Sequence, residues 1–250
     1  NASKTPLMIS MDAEWGVGMR LDSVPKFPWN MSLGAIKNDL LIEKIGSEIG
    51  YQFKRLGIHM NFAPVIDINT NPKNPIIGNR SYGENKINVS EKGISFTKGI
   101  QSNNVLATAK HFPGHGDTSK DSHLTLPTIN FDEKRIKKVE LYPFKKLIED
   151  GLSAVMIAHL NVPSLEKENM LPSTLSKNII EKTLIKELNF NGLIISDALE
   201  MKGVSEFTKK NVDLMAFLAG NDILLMSSDI SKGIKSIKKS IKKGKISEQR

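Results

Sequence analysis

The chain has 250 residues, 39% hydrophobic and 25% charged, with no cysteine and a formal net charge of +8. That is apolar material for one full-sized core, at the usual length of a single α/β barrel. The lack of cysteine excludes disulfides, thiolate chemistry and any zinc site built on cysteine, and no apolar run approaches the length needed to cross a bilayer.

Taken in chain order, short and nearly continuous apolar runs predict strands at 6–11, 58–65, 105–109, 153–159, 192–196 and 222–226. Such runs suit parallel strands buried on both faces. Helical patterns fall between them at 38–56, 90–102, 132–149, 176–188, 208–219 and 229–243. Ser90 with Gly93, and Asn130 to Asp132 before Glu133, read as helix starts. Gly57, Gly151, Gly192 and Gly220 read as stops. The result is six βα units in one unbroken series over 1–250, without a low-complexity linker. The periodicity alone suits either a closed barrel or an open doubly wound sheet. The opening Asn1 and the helical pattern running to Arg250 lead us to expect a fragment at both ends, which leaves a cytoplasmic or an exported, periplasmic protein equally open.

The positive charge is local. Lys232, Lys235, Lys238, Lys239, Lys242, Lys243 and Lys245 account for all but one of the eight net charges. Ile230, Ile234, Ile237 and Ile241 recur among them at helical spacing, so the segment reads as an amphipathic helix with a solvated lysine face. No aromatic residues interleave with the lysines to stack on bases, which argues against a nucleic-acid partner.

Both candidate folds place chemistry beyond the C-terminal ends of their strands, and polar residues gather there. The first strand leads into Asp12, Ala13 and Glu14, the second to Asp67, and the third to Lys110 and His111. The fourth leads to His159 and Asn161, the fifth to Asp197. One aspartate after a strand is an ordinary helix cap; five polar strand ends in series read as an active-site face.

The densest stretch is 110–123, with Lys110, His111, His115, Asp117, Asp121 and His123 around Pro113, Gly114 and Gly116. It admits three readings: a solvated turn, a metal site using its histidines and aspartates, or a catalytic loop. No pair has the His-Glu-x-x-His arrangement of a helical metal site. In an extended segment Asp121 and His123 point the same way. A carboxylate beside an imidazole stabilises its protonated form and makes a dyad able to give and recover a proton. His115 and Asp117 read as loop-shaping residues, and His59, inside an apolar strand, as structural. His159 is read as either a pocket-lining or a structural residue.

Lys110–Pro127, KHFPGHGDTSKDSHLTLP, resembles the signature of bacterial glycoside hydrolase family 3 β-N-acetylglucosaminidases of the NagZ type. Leu193–Met201 (LIISDALEM), Pro6–Leu21 (PLMISMDAEWGVGMRL) and Gly78–Gly83 (GNRSYG) resemble further blocks of that family. The resemblance implies a TIM-like (β/α)8 barrel, here cut to about six βα units with the first two strands missing. It implies a retaining exo-β-N-acetylglucosaminidase acting on peptidoglycan or chitin fragments without a metal or organic cofactor. It also implies roles: Asp197 as nucleophile, His123 as acid/base with Asp121 as its partner, and Asp12, Arg20, Arg80, Lys110 and His111 as substrate contacts. Because a histidine replaces the usual carboxylic acid, phosphate is an alternative acceptor to water, giving a phosphorylase. A non-catalytic sugar-binding barrel is the rival from another class. Where the family segment reads Asp-x-Glu-Gly-Gly-Arg, this chain has Trp15 and Val17, a departure on the leaving-group side.

Overall fold

The computed structural model describes residues 4–119, 125–168, 170–205, 207 and 211–247. Five parallel strands form one curled sheet in sequence order: β1 (Ser10–Met11), β2 (Met60–Asn61), β3 (Leu106–Phe112), β4 (Ala154–Ile157) and β5 (Leu193–Ser196). The sixth predicted strand contributes a single parallel bridge, Ile195 to Ile223. Between the strands run α1 (Asn30–Gly34), α2 (Asp39–Leu56), α3 (Lys86–Gln101), α4 (Glu133–Lys138), α5 (Leu141–Glu149), a π-type helix over Asn178–Glu187, α6 (Lys202–Ser205), α7 (Val212–Ala219) and α8 (Ile230–Lys242).

Alternation along the strands builds two apolar layers. Met60, Phe62, Ala154, Met156 and Ile195 pack together on the concave side of the sheet. Ala63, Ala107, Ala109, Val155 and Ile157 face the helices and meet Phe53, Phe96, Ile100 and Phe144. With both faces buried, the strands read as continuous apolar runs. Helices α2 and α3 meet through glycines: a Cβ on Gly99 would lie 2.1 Å from the Glu43 carbonyl oxygen, and one on Gly46 2.4 Å from that of Phe96.

Several element boundaries differ from the sequence expectation, each for a local reason. α3 starts at Lys86, four residues before the expected Ser90, because the Asn85 side chain accepts from the N–H groups of Ile87 and Asn88. The helix expected over 132–149 breaks in two at Val139, whose φ of −118° and ψ of −71° leave helical geometry. The break turns Glu140 inward to Arg135 (2.9 Å) beneath Gly114. Gly57, Gly151 and Gly220 end their helices with positive φ, whereas Gly192 does not. The helix before it has already ended, Asn189 takes the left-handed conformation (φ 55°), and a Cβ on Gly192 would strike the Ser153 carbonyl at 2.5 Å.

The seven lysines around α8 all face solvent. Among the described residues no helix is long and apolar enough to cross a membrane.

Candidate active site

The strand ends meet at a cavity of about 470 Å³ that takes in Asp12, Glu14, Arg80, Lys110, His111 and Asp197. The concave row of β5 runs Leu193, Ile195 and, two residues on, Asp197, so its carboxylate continues the inward-facing side. Lys110 stands in the same relation to Leu106 on β3.

At the floor lies an ion cluster. Lys110, 3% exposed, places Nζ 2.7 Å from Asp12 Oδ1 and 2.8 Å from Glu14 Oε1. Arg80 grips Glu14 with two bonds, Nε to Oε2 at 2.9 Å and Nη2 to Oε1 at 2.7 Å. Burial by itself would neutralise both Glu14 and Lys110. Their mutual attraction outweighs it: the Glu14 carboxyl falls well below the ordinary carboxylate range, and the Lys110 ammonium rises above the usual lysine value. The other oxygen of Asp12 accepts from Arg20 Nη2 at 2.9 Å, so Asp12 is held between two cations.

A second cluster braces the first. Asp67, wholly buried, accepts from the backbone N–H groups of His111 (3.2 Å) and His115 (2.6 Å) and meets His111 Nδ1 at 2.6 Å. Burial raises its pKa, but these partners hold it below the ordinary aspartate value. Arg80 Nη2 lies 3.3 Å from His111 Nε2. Both nitrogens of His111 are thus engaged within the protein.

Asp197 stands half-buried at the end of β5, and its Oδ1 accepts from the Ala198 N–H at 2.8 Å. Burial opposes its charge, yet His159, His111, that N–H and Lys110 together hold the carboxyl below its ordinary value. His159 is fully buried, Nδ1 on Thr174 Oγ1 (2.6 Å) and Nε2 on the Ala198 carbonyl (2.9 Å), and braces the turn that carries Asp197. His115 touches the cavity while its backbone shapes the loop: its carbonyl accepts from Asn74 Nδ2 at 2.8 Å. Burial and the neighbouring His111 push its ring down to about 4. Asp117 accepts from Thr70 Oγ1 at 3.0 Å, and His59 accepts the Ile9 N–H at 3.0 Å, fastening β1.

The structure therefore gathers Asp12, Arg20, Arg80, Lys110, His111 and Asp197 around one cavity. Asp121 and His123 lie outside the described residues. Three cavity-related residues escaped the sequence reading of roles: Glu14, Asp67 and Trp29. Glu14, two residues after Asp12, and Asp67, at a strand end, stood in suggestive positions, but their partners are 66 and 44 residues away. As for metals, the rings of His111 and His115 turn to different partners. Among the described residues no group of three or more histidine and carboxylate side chains is placed to hold an ion.

Replacing Glu14 by Gln removes the anion that Lys110 and Arg80 share. We expect a stability loss of roughly 3 kcal/mol in urea unfolding. The depressed pKa of Glu14 means that its stabilisation is complete above the ordinary value of 4.5 and is lost as pH falls below it. Acid unfolding should therefore begin more gradually in Glu14→Gln than in the parent.

Residues 1–250 match the model of the glycosyl hydrolase family 3 N-terminal domain. The chain is 38% identical over 240 residues to "Beta-hexosaminidase A" of Pseudoalteromonas piscicida, covering 90% of this chain and 40% of that protein. It resembles the solved structure of a glycoside hydrolase family 3 beta-N-acetylglucosaminidase from Paenibacillus sp. str. FPU-7 at 42% identity and a TM-score of 0.92, covering 98% of this chain and 47% of that one. It also resembles "Beta-glucoside phosphorylase BglX" at 26% identity and a TM-score of 0.93, covering 99% and 47%. The chain thus spans less than half the length of each of these three proteins. With the whole of its length matched to the family model, the chain belongs to glycosyl hydrolase family 3, as its N-terminal domain.

Proposed function

We propose that this chain is the catalytic barrel of a retaining exo-β-N-acetylglucosaminidase that hydrolyses terminal β-linked N-acetylglucosamine from peptidoglycan or chitin fragments. The observation that carries the reading is Asp197: a half-buried carboxylate at a strand end, its pKa held below the ordinary value, facing a cavity whose floor is lined with charged donors. Acetal cleavage through an oxocarbenium-like transition state needs such a carboxylate on one side of the bond and a proton source on the other. Asp197 attacks the anomeric carbon and forms a glycosyl ester. His123, with Asp121 as its partner in the sequence reading, protonates the leaving oxygen and then takes a proton from the incoming water.

Lys110 Nζ has three protons, two of them directed at Asp12 and Glu14, which leaves one for a sugar hydroxyl. Asp12, Arg20 and Arg80 supply further polar contacts, and His111 acts chiefly by bracing Arg80. The names of the hexosaminidase and N-acetylglucosaminidase relatives support the sugar assignment. Phosphorolysis is the second reading, favoured by the likeness to the phosphorylase.

The test is to incubate the full-length protein with aryl β-N-acetylglucosaminide and aryl β-glucoside, with and without phosphate. We expect preference for the amino sugar and free N-acetylglucosamine as product in both buffers. Sugar 1-phosphate formed in phosphate would establish the second reading, and no turnover of either glycoside would overturn both.

A further inference from the structure

Two tryptophans at the cavity have no part in the chemistry above. Trp15 and Trp29 stack with ring centroids 4.0 Å apart and planes inclined by 39°, and both line the cavity that holds Asp197. Neither belongs to the apolar core, and Trp29 is 46% exposed. Among the described residues neither indole N–H has a hydrogen-bond partner. Stacked aromatic rings left beside water at the edge of a charged pocket are unusual unless something covers them.

The pair is held firmly. The Trp15 carbonyl accepts from the Phe27 N–H at 3.2 Å. Gly16, at φ 93°, lets the chain turn there, where a Cβ would lie 2.7 Å from the Phe27 ring. Trp29 starts α1: its carbonyl accepts from Ser32 and Leu33, and the next residue, buried Asn30, donates to the Arg80 carbonyl at 2.7 Å. The platform is therefore tied to the backbone of a residue that grips Glu14 on the floor.

Exposure gives the cavity a direction. Glu14 and Lys110 are 1% and 3% exposed at its closed end, while Trp29 and Arg20 stand open to solvent at its mouth. A terminal sugar reaching the floor would leave the ring behind it at the mouth, against the tryptophans. We propose that Trp15 and Trp29 form a binding platform for the second ring of the substrate, the pyranose of the leaving group, which presents its apolar C–H face to the indoles. This rests on the glycosidase reading and adds the element that selects the leaving group. It also gives Trp15 a function where the chain departs from the family segment.

The test uses full-length protein inactivated by Asp197→Asn, with calorimetric titration of N-acetylglucosamine and of its β-1,4-linked dimer. Stacking should make the dimer bind about tenfold more tightly than the monomer. In Trp29→Ala we expect this advantage to shrink to about twofold with monomer affinity unchanged; Trp29→Phe, which keeps a ring, should restore most of it. An undiminished dimer advantage in Trp29→Ala would overturn the proposal, as would equal weakening of both sugars, which indicates a merely structural role. If neither sugar binds the Asp197→Asn parent, the amino-sugar reading itself fails, and the platform falls with it.

Discussion

Asp197→Ala should abolish turnover, lowering kcat/KM by about 10⁴-fold or more. The magnitude follows from the position of the carboxylate rather than from its presence alone. An exposed aspartate would spend its charge on water. Asp197 is half-buried at the cavity, and His159, His111, the Ala198 N–H and Lys110 hold its carboxyl below the ordinary value against the desolvation that opposes its charge. In the proposed reaction it meets the developing positive charge at the anomeric carbon from within the charged cavity, where electrostatic stabilisation is strong. Alanine removes both the proposed nucleophile and its countercharge. The isosteric Asp197→Asn separates chemistry from folding, since it keeps the acceptor oxygen for Ala198. It should melt near the parent and be as inactive as the alanine variant. The sign of the pH effect is also set: because the pKa is held below that of an ordinary aspartate, loss of activity through protonation of this group should lie at lower pH than an unperturbed aspartate would give. A 2-fluoro glycoside should leave a covalent adduct on the peptide 193–201. An alanine variant retaining a few per cent of parental activity, or an adduct on another peptide, would remove Asp197 from its role.

Much of this site was legible because parallel strands expose their chemistry at one end. Asp12, Lys110, His111 and Asp197 follow apolar runs in the sequence and do line one cavity. Five of the six expected strands were legible for a related reason, since burial on both faces leaves continuous apolar stretches, while the sixth forms only a single bridge at Ile223. Strand length was not. The run 6–11 yields only Ser10–Met11, because Leu7, Met8 and Ile9 lie exposed at the edge of the sheet, where hydrophobicity does not imply a full ladder of hydrogen bonds. The break at Val139 was hidden for the opposite reason: the helical pattern continues through it, and the inward pairing of Glu140 with Arg135 that accompanies it is visible only in the fold. Glu14 and Asp67 show the general limit. Their residue types were visible, but what makes each important is a partner brought near by folding, and no spacing along the chain encodes it. Trp15 was noticed as a departure; its stacking on Trp29, fourteen residues on, emerges only when the loop closes.

The second large effect concerns the opposite side of the scissile bond. His123→Ala should depress turnover of the natural disaccharide by roughly 10²- to 10⁴-fold while leaving activated aryl glycosides much less affected. A sugar alkoxide is a poor leaving group and needs a proton as the bond breaks. A nitrophenolate departs without one, so for that substrate only water activation in the second step depends on the histidine. A burst of nitrophenol followed by slow release is therefore expected, as the glycosyl-enzyme on Asp197 forms quickly and hydrolyses slowly. Asp121→Asn should produce a milder version of the same pattern if, as proposed, Asp121 stabilises the charged imidazole, since the ring itself is kept. The measurement is a series of aryl N-acetylglucosaminides of graded leaving-group pKa, compared with the disaccharide. In the parent, rate should depend weakly on leaving-group pKa; in His123→Ala the dependence should be steep. Equal slowing of every member of the series would show that His123 holds the loop in shape rather than moving a proton.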